Sequence, residues 1–296
     1  MSRQHEKPRM LVIGGMNMDF LGTAGGAFVA GDSLPGTISL RPGGVGRNIA
    51  QTLASHGAEV ELVCALGADR TADILKASCE KLGIGLQHAL QTSLPSPSYM
   101  AIHGMDGDMA AAINDMRAMD ALTGEALAAA LSGLTGFDAC VLDANLSEDT
   151  LVTAAQTLHL PLIADPVSAA KCRRLLPVMN RLKAIKPNLM EARALSGKQE
   201  FHEAAEELLK MGVEQVYISL GKDGLYYADR ETSGLLPASP LPPVSLTGAG
   251  DAMTAGLALA IAKGLPLEEA AQAGIDAARA FLLRQIANEH NCEETT

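Results

Sequence analysis

Thr247-Gly248-Ala249-Gly250-Asp251 heads an apolar stripe, Met253, Leu257 and Ile261, spaced as one face of a helix. Small residues at such a place let backbone amides converge on an anion, and a helix N-terminus adds partial positive charge. The amides of Gly248, Ala249, Gly250 and Asp251 can therefore neutralise a transferring phosphoryl group without a lysine. Asp251, in the first turn, can take a hydroxyl proton late in a loose transition state, with the helix dipole keeping it ionised. The same five residues also make an ordinary helix start with an acidic first turn, so their context has to decide. Other phosphate motifs fail: Gly221-Lys222 runs into Asp223 and Gly197-Lys198 into Gln199, which excludes a P-loop. Gly44-Val45-Gly46 and Gly248-Ala249-Gly250 each lack the last glycine of the dinucleotide fingerprint.

The elements that must position such a turn alternate. Met10–Ile13 reads as a buried strand ending in Gly14-Gly15, Gly46–Ser55 as a helix, and Val60–Leu66 as the next strand. Strands follow at Ala139–Leu142, Leu162–Ala164, Ala184–Lys186, Gln215–Ser219 and Leu225–Ala228. Helices are expected over Thr123–Leu131, Glu148–Leu158, Leu189–Leu195, Glu200–Met211, Gly250–Lys263 and Leu267–Ala287. This rhythm predicts an α/β fold, a mostly parallel sheet with helices on both faces. Two stretches break it, about 17–41 and 86–117, both rich in short strand-like runs and turns. They are expected to form a small β lid inserted in a single domain over 9–288, with a polar tail over 289–296.

Composition narrows the ligand. The 296 residues carry 23 Lys+Arg against 34 Asp+Glu, a net charge of −11. A nucleic-acid or anionic-membrane partner needs a basic face, so neither is expected. With five Phe, four Tyr and no Trp, stacking platforms are scarce, and a ligand must be held by backbone and polar contacts. No apolar run reaches the roughly 20 residues of a membrane helix, and no signal sequence is apparent, so a cytoplasmic location is expected. The five cysteines are scattered without a C-x-x-C pair and read as buried thiols.

Pro42-Gly43-Gly44-Val45-Gly46-Arg47-Asn48-Ile49-Ala50, with Asn17 and Asp19 behind the first strand, completes the context. Together with the Gly248–Asp251 turn it resembles the ribokinase-like carbohydrate and nucleoside kinases of the PfkB family, over about residues 9–285. Asp165-Pro166, Lys186-Pro187-Asn188-Leu189-Met190-Glu191 and Leu220-Gly221-Lys222-Asp223-Gly224 are further marks of that family. The resemblance implies ATP as phosphoryl donor and Asp251 as base. It places a ribose diol on Asp19, helped by Asn17, Asn48 and the Gly43-Gly44 backbone. It assigns Asn188 and Glu191 to magnesium and phosphate through water, with Asp165 either joining the metal network or opening a loop before Pro166. Ser219, Gly221, Lys222, Gly224 and Thr247 would line the nucleotide, with Gly274 near the base, although Lys222 also reads as a solvated lysine. Ser245 stands where many relatives carry an aspartate at a monovalent-cation site, which weakens the expectation of potassium activation.

Arg47, in a position usually small or lysine, and Ala112-Ile113-Asn114-Asp115-Met116 resemble the branch of the family that acts on pseudouridine. That implies transfer to the 5′-hydroxyl of a C-nucleoside whose base meets polar lid residues such as Asn114 and, more weakly, Ser33. Asn114-Asp115 reads equally as a polar turn. Exposed lid edges would be covered by a second copy, so a homodimer through the lid is expected.

Overall fold

The computed structural model describes residues 7–28, 31–238 and 248–293, with side chains up to 287. In chain order the elements are β1 (Arg9–Ile13), β2 (Asn17–Ala24), β3 (Gly36–Gly43), α1 (Val45–Ser55), β4 (Glu59–Val63), β5 (Ala65–Leu66), α2 (Arg70–Lys81), β6 (Ile84–Gly85), β7 (Leu90–Gln91), β8 (Ser98–His103) and β9 (Met109–Asp115). Then come α3 (Arg117–Asp120), α4 (Gly124–Leu131), β10 (Ala139–Asp143), α5 (Glu148–Thr157), β11 (Leu162–Asp165), a 3₁₀ helix over Cys172–Arg181, and β12 (Ala184–Ile185). The chain closes with α6 (Leu189–Ser196), α7 (Phe201–Lys210), β13 (Gln215–Ser219), β14 (Leu225–Ala228), β15 (Ser233–Leu236), α8 (Ala249–Ala262) and α9 (Leu267–Glu293).

The main sheet runs β15-β14-β13-β12-β11-β10-β1-β4-β6, parallel except at β13-β14-β15. Period-two alternation along β1 explains the two helix layers: Met10 and Val12 point into one core with α1, α8 and α9, while Leu11 and Ile13 point into the other with α4 to α7. The chain leaves β1 toward β4 on one side and returns to β10 on the other. That reversal opens a crevice beyond the strand ends, where open α/β sheets bind ligands.

The four-stranded lid, β3-β2-β8-β9, comes from two insertions as expected, but its second part spans only 98–115. Residues 86–91, expected in the lid, lie elsewhere, with β7 pairing with β5, and β6 just before them extends the main sheet beside β4. The expected strand Val60–Leu66 is accordingly broken after Val63. Helix α2 is left unassigned by periodicity because its core stripe is thin, Ala72, Leu75 and Cys79; Asp69 caps it, accepting the Ala72 N–H at 2.8 Å. Helix α9 runs past the expected end at Ala287 to Glu293. No helix among the described residues is long and apolar enough to cross a membrane. The four described cysteines are buried free thiols.

Candidate active site

The ends of β1, β10, β11 and β12 bring a set of charged groups into the crevice. The Gly15 N–H donates to Asp143 Oδ2 at 2.8 Å and the Asn145 N–H to Asp143 Oδ1 at 2.9 Å. Burial pushes the Asp143 carboxyl up to about 6. Next to it Asp165 is well bonded: Oδ1 accepts from Val167 N–H at 2.9 Å, and Oδ2 from the Thr254 hydroxyl at 2.6 Å and the Lys186 ammonium at 3.2 Å. The Lys186 side chain is 6% exposed, and Asp165, Glu191 and Asp251 hold its charge against desolvation. A Cβ on Gly250 would lie 3.3 Å from Lys186 Nζ, so this buried cation adjoins the glycine turn.

That turn has the geometry its sequence demands. Gly248 caps α8 at φ 89°, where any L side chain is strained, and a Cβ there would press on the Phe281 ring at 2.6 Å. Gly44 does the same for α1 at φ 98°, with a Cβ only 2.7 Å from Met16 Cα. The two turns meet, since Asn48 Nδ2 donates to Asp251 Oδ2 at 2.8 Å. Asp251 is lifted to about 7 by burial and by the neighbouring Asp165, against the pull of Asn48 and Lys186. The helix dipole was expected to keep Asp251 firmly ionised. Desolvation overrides it, leaving a carboxylate matched to proton transfer near neutral pH.

Across the crevice, Asn17 Nδ2 donates to Asp19 Oδ1 at 2.6 Å, and burial raises the Asp19 carboxyl despite Asn17, Arg47 and Arg41. Gly43 packs against this carboxylate, where a Cβ would collide with it. Strand register sets Arg41, Asp19, Tyr99 and Asn114 abreast on one lid face. Asn114, exposed on β9, thus shares the face of the diol residue. Ser33 does not. It lies in the hairpin tip beyond the Ala24–Gly36 pair, on the order of 15 Å along the strand from Asp19, because β2 runs outward from the crevice.

Asn188 and Glu191 form a capping box at the start of α6, with the Glu191 N–H donating to Asn188 Oδ1 at 2.9 Å and the Asn188 N–H to Glu191 Oε2 at 2.8 Å. Glu191 Oε1 remains available. An isolated parallel bridge joins Asn188 to Ser219, and the Ser219 N–H donates to the Pro187 carbonyl at 2.9 Å. This puts the turn of Gly221, Lys222 and Gly224 next to the box. Gly221 and Lys222 are exposed, whereas Gly224 is buried against β15. Gly274 packs on α8, where a Cβ would meet Leu257 Cγ at 2.9 Å and Met253 Cγ at 3.2 Å. Thr247 and Ser245 fall outside the described residues.

Among the described residues no three His, Cys, Asp or Glu side chains converge as a cage for magnesium. Asp165 holds Lys186 and Thr254 through Oδ2, and its Oδ1, which accepts only the Val167 N–H, has room for a metal-bound water. Glu191, with one free oxygen, suits a hydrated ion shared with nucleotide phosphates, since Mg²⁺ keeps several waters.

Sequence reasoning overlooks Lys186, Asp143 and the pair in which Lys171 Nζ donates to Asn145 Oδ1 at 2.6 Å. The available signal is a charged or amide side chain at the C-terminal end of a parallel strand, which had already singled out Asp19.

A buried carboxyl lifted to about 7, a glycine turn with a buried cation beside it, and a second carboxylate across the crevice make an arrangement that suits phosphoryl transfer to an alcohol. The pfkB family carbohydrate kinase profile matches residues 7–293, and the chain belongs to that family. It is 35% identical to pseudouridine kinase of Escherichia coli over 272 residues, 89% of this chain and 87% of that protein. It is 27% identical to ribokinase of Bacillus subtilis, covering 88% and 87% of the two chains. Ribokinase from Thermotoga maritima superposes with a TM-score of 0.83 at 25% identity over 94% and 93% of the chains. The fold is ribokinase-like, and kinases of this family use ATP, typically with Mg²⁺.

Proposed function

We propose that the chain transfers the γ-phosphoryl group of ATP to the 5′-hydroxyl of pseudouridine. The contact that carries this reading is Asn48 Nδ2 to Asp251 Oδ2, 2.8 Å, which joins the sugar-side glycine turn to the phosphate-side one. Asp251 takes the hydroxyl proton as the new O–P bond forms, the β–γ bridging O–P bond breaks, and its electron pair leaves on ADP. The Gly248–Asp251 amides and Lys186 face the negative charge that spreads over the transferring group. Magnesium, when bound, neutralises the donor phosphates, with Glu191 through water as this chain's means of holding it. Asn17, Asp19 and the Gly43-Gly44 backbone hold the ribose. Tyr99 and Asn114 offer polar edges on the same lid face, which suits a base read by hydrogen bonds.

The relatives include ribokinase and a guanosine-inosine kinase, so the acceptor is the finer step of the proposal. ADP release with pseudouridine, uridine, adenosine and ribose tests it. Pseudouridine should be preferred, and equal turnover of uridine would sink the narrower claim.

The opposite lid face carries Ile38, Leu40, Met100, Ile102 and Ile113, with Ile38 77% and Ile113 73% exposed. Such a contiguous apolar face supports a homodimer joined lid to lid. Sedimentation as a monomer at micromolar concentration would refute it.

A further inference from the structure

Arg47 is 6% exposed, yet among the described residues no carboxylate makes an ion pair with it. A guanidinium cannot shed its proton, so its burial without a counter-ion demands compensation. The hydrogen bonds show where it is used. Arg47 Nη1 donates to Asn48 Oδ1 at 3.2 Å, and Nε donates to Ser78 Oγ on α2 at 3.4 Å. Ser78 gives its own proton to the Leu75 carbonyl at 2.8 Å, which turns its lone pairs toward Arg47. Asp19 acts on Arg47 only as a neighbouring charge.

The two ends of an asparagine amide have nearly the same shape and opposite polarity. Were Asn48 flipped, its oxygen would face the Asp251 carboxylate, acceptor against acceptor. A donor-only group at the other end forbids the flip. We propose that Arg47 is a positioning residue: braced on Ser78, it takes Asn48 Oδ1 and so presents Nδ2 to Asp251, fixing the direction of the base. The inference rests on Asp251 as the base and not on which nucleoside is the acceptor.

A double-mutant cycle tests it, run with the best acceptor of the substrate panel and with melting curves for every variant. Arg47→Met should lower kcat by about tenfold to a hundredfold, the scale on which small misplacements act, while the acceptor KM moves less than about threefold. Arg47→Lys, which can still donate to Asn48, should restore part of the rate, and Arg47→Leu, likewise without a donor, serves if the methionine variant does not fold. In an Asn48→Ala background the same Arg47 change should cost less than about twofold more, because the effect passes through Asn48. Full multiplication of the two losses, or a raised acceptor KM with kcat intact, would overturn the positioning role. The base role is read separately: if Asp251→Asn turned over normally, that assignment would fail whatever the cycle gave.

Discussion

Asp251→Asn separates two consequences of burying a catalytic carboxylate. Asparagine keeps the shape and an oxygen for Asn48 Nδ2 but cannot accept a proton. Turnover should fall by roughly 10² to 10⁴, with little change in acceptor KM because Asp19 and Asn17 still hold the sugar. The ligand-free protein should meanwhile become more stable in mild alkali. Asp251 is held at about 7 against an ordinary 3.8, and at about 1.36 kcal/mol per unit this amounts to at most on the order of 4 kcal/mol. A raised carboxyl pKa means that the native state binds the proton more tightly than the unfolded chain does. Its stabilising contribution is therefore complete below 3.8 and is lost as pH rises through about 7. Above that, the wild-type fold carries a poorly solvated charge that the asparagine variant lacks. At about 2–4 °C per kcal/mol for a chain of this size, the variant should melt roughly 5–10 °C higher near pH 8.5 and converge with wild type toward pH 4 to 5. Scanning fluorimetry across that range, paired with an ADP-release assay, measures both effects. A melting difference that is flat with pH would refute desolvation as the source of the shift, and near-normal turnover would refute the base.

Lys186→Met should cost about a hundredfold in turnover. It should also destabilise the fold by about 3–5 kcal/mol near neutral pH, since Asp165 would be buried without its cation; unaltered turnover in a stable variant would remove Lys186 from the reaction. Gly248→Ala forces a side chain into φ 89° and onto Phe281, so a loss of about 1–3 kcal/mol in chemical denaturation is expected together with reduced turnover. Excess EDTA should stop ADP release while leaving the melting temperature of the nucleotide-free protein unchanged, because no metal-binding cluster of three side chains forms among the described residues; a lowered melting point would reveal a structural ion.

The residues legible in the sequence are those whose backbone role restricts residue type. Gly44 and Gly248 are forced by positive φ, Asn188 and Glu191 by a capping box, and Asp19 by its place beyond a strand. Strand positions were legible in outline because fully buried strands such as Ala139–Asp143 read as apolar runs. What escaped depends on tertiary contact. Lys186 looks like any lysine until Asp165 and Gly250 close around it. The packing of Gly274 on α8 shows only in the fold, and Ser33 looked near the base until strand register carried it to the hairpin tip. The pKa of Asp251 escaped for the same reason, since a dipole can be read from one helix whereas desolvation needs every neighbour.

Charge balance in the crevice links these groups. Asp165, Asp251 and Glu191 surround the buried Lys186 ammonium, while Asp143 has Lys171 as its neighbouring cation. Burial and the charge of Asp165 lift Asp143 to about 6 and Asp251 to about 7. A nucleotide brings further negative charge into this place on a protein of net charge −11. Its phosphates can be accommodated only by cations that arrive with them or are already fixed there, namely magnesium, Lys186 and the amides heading α8.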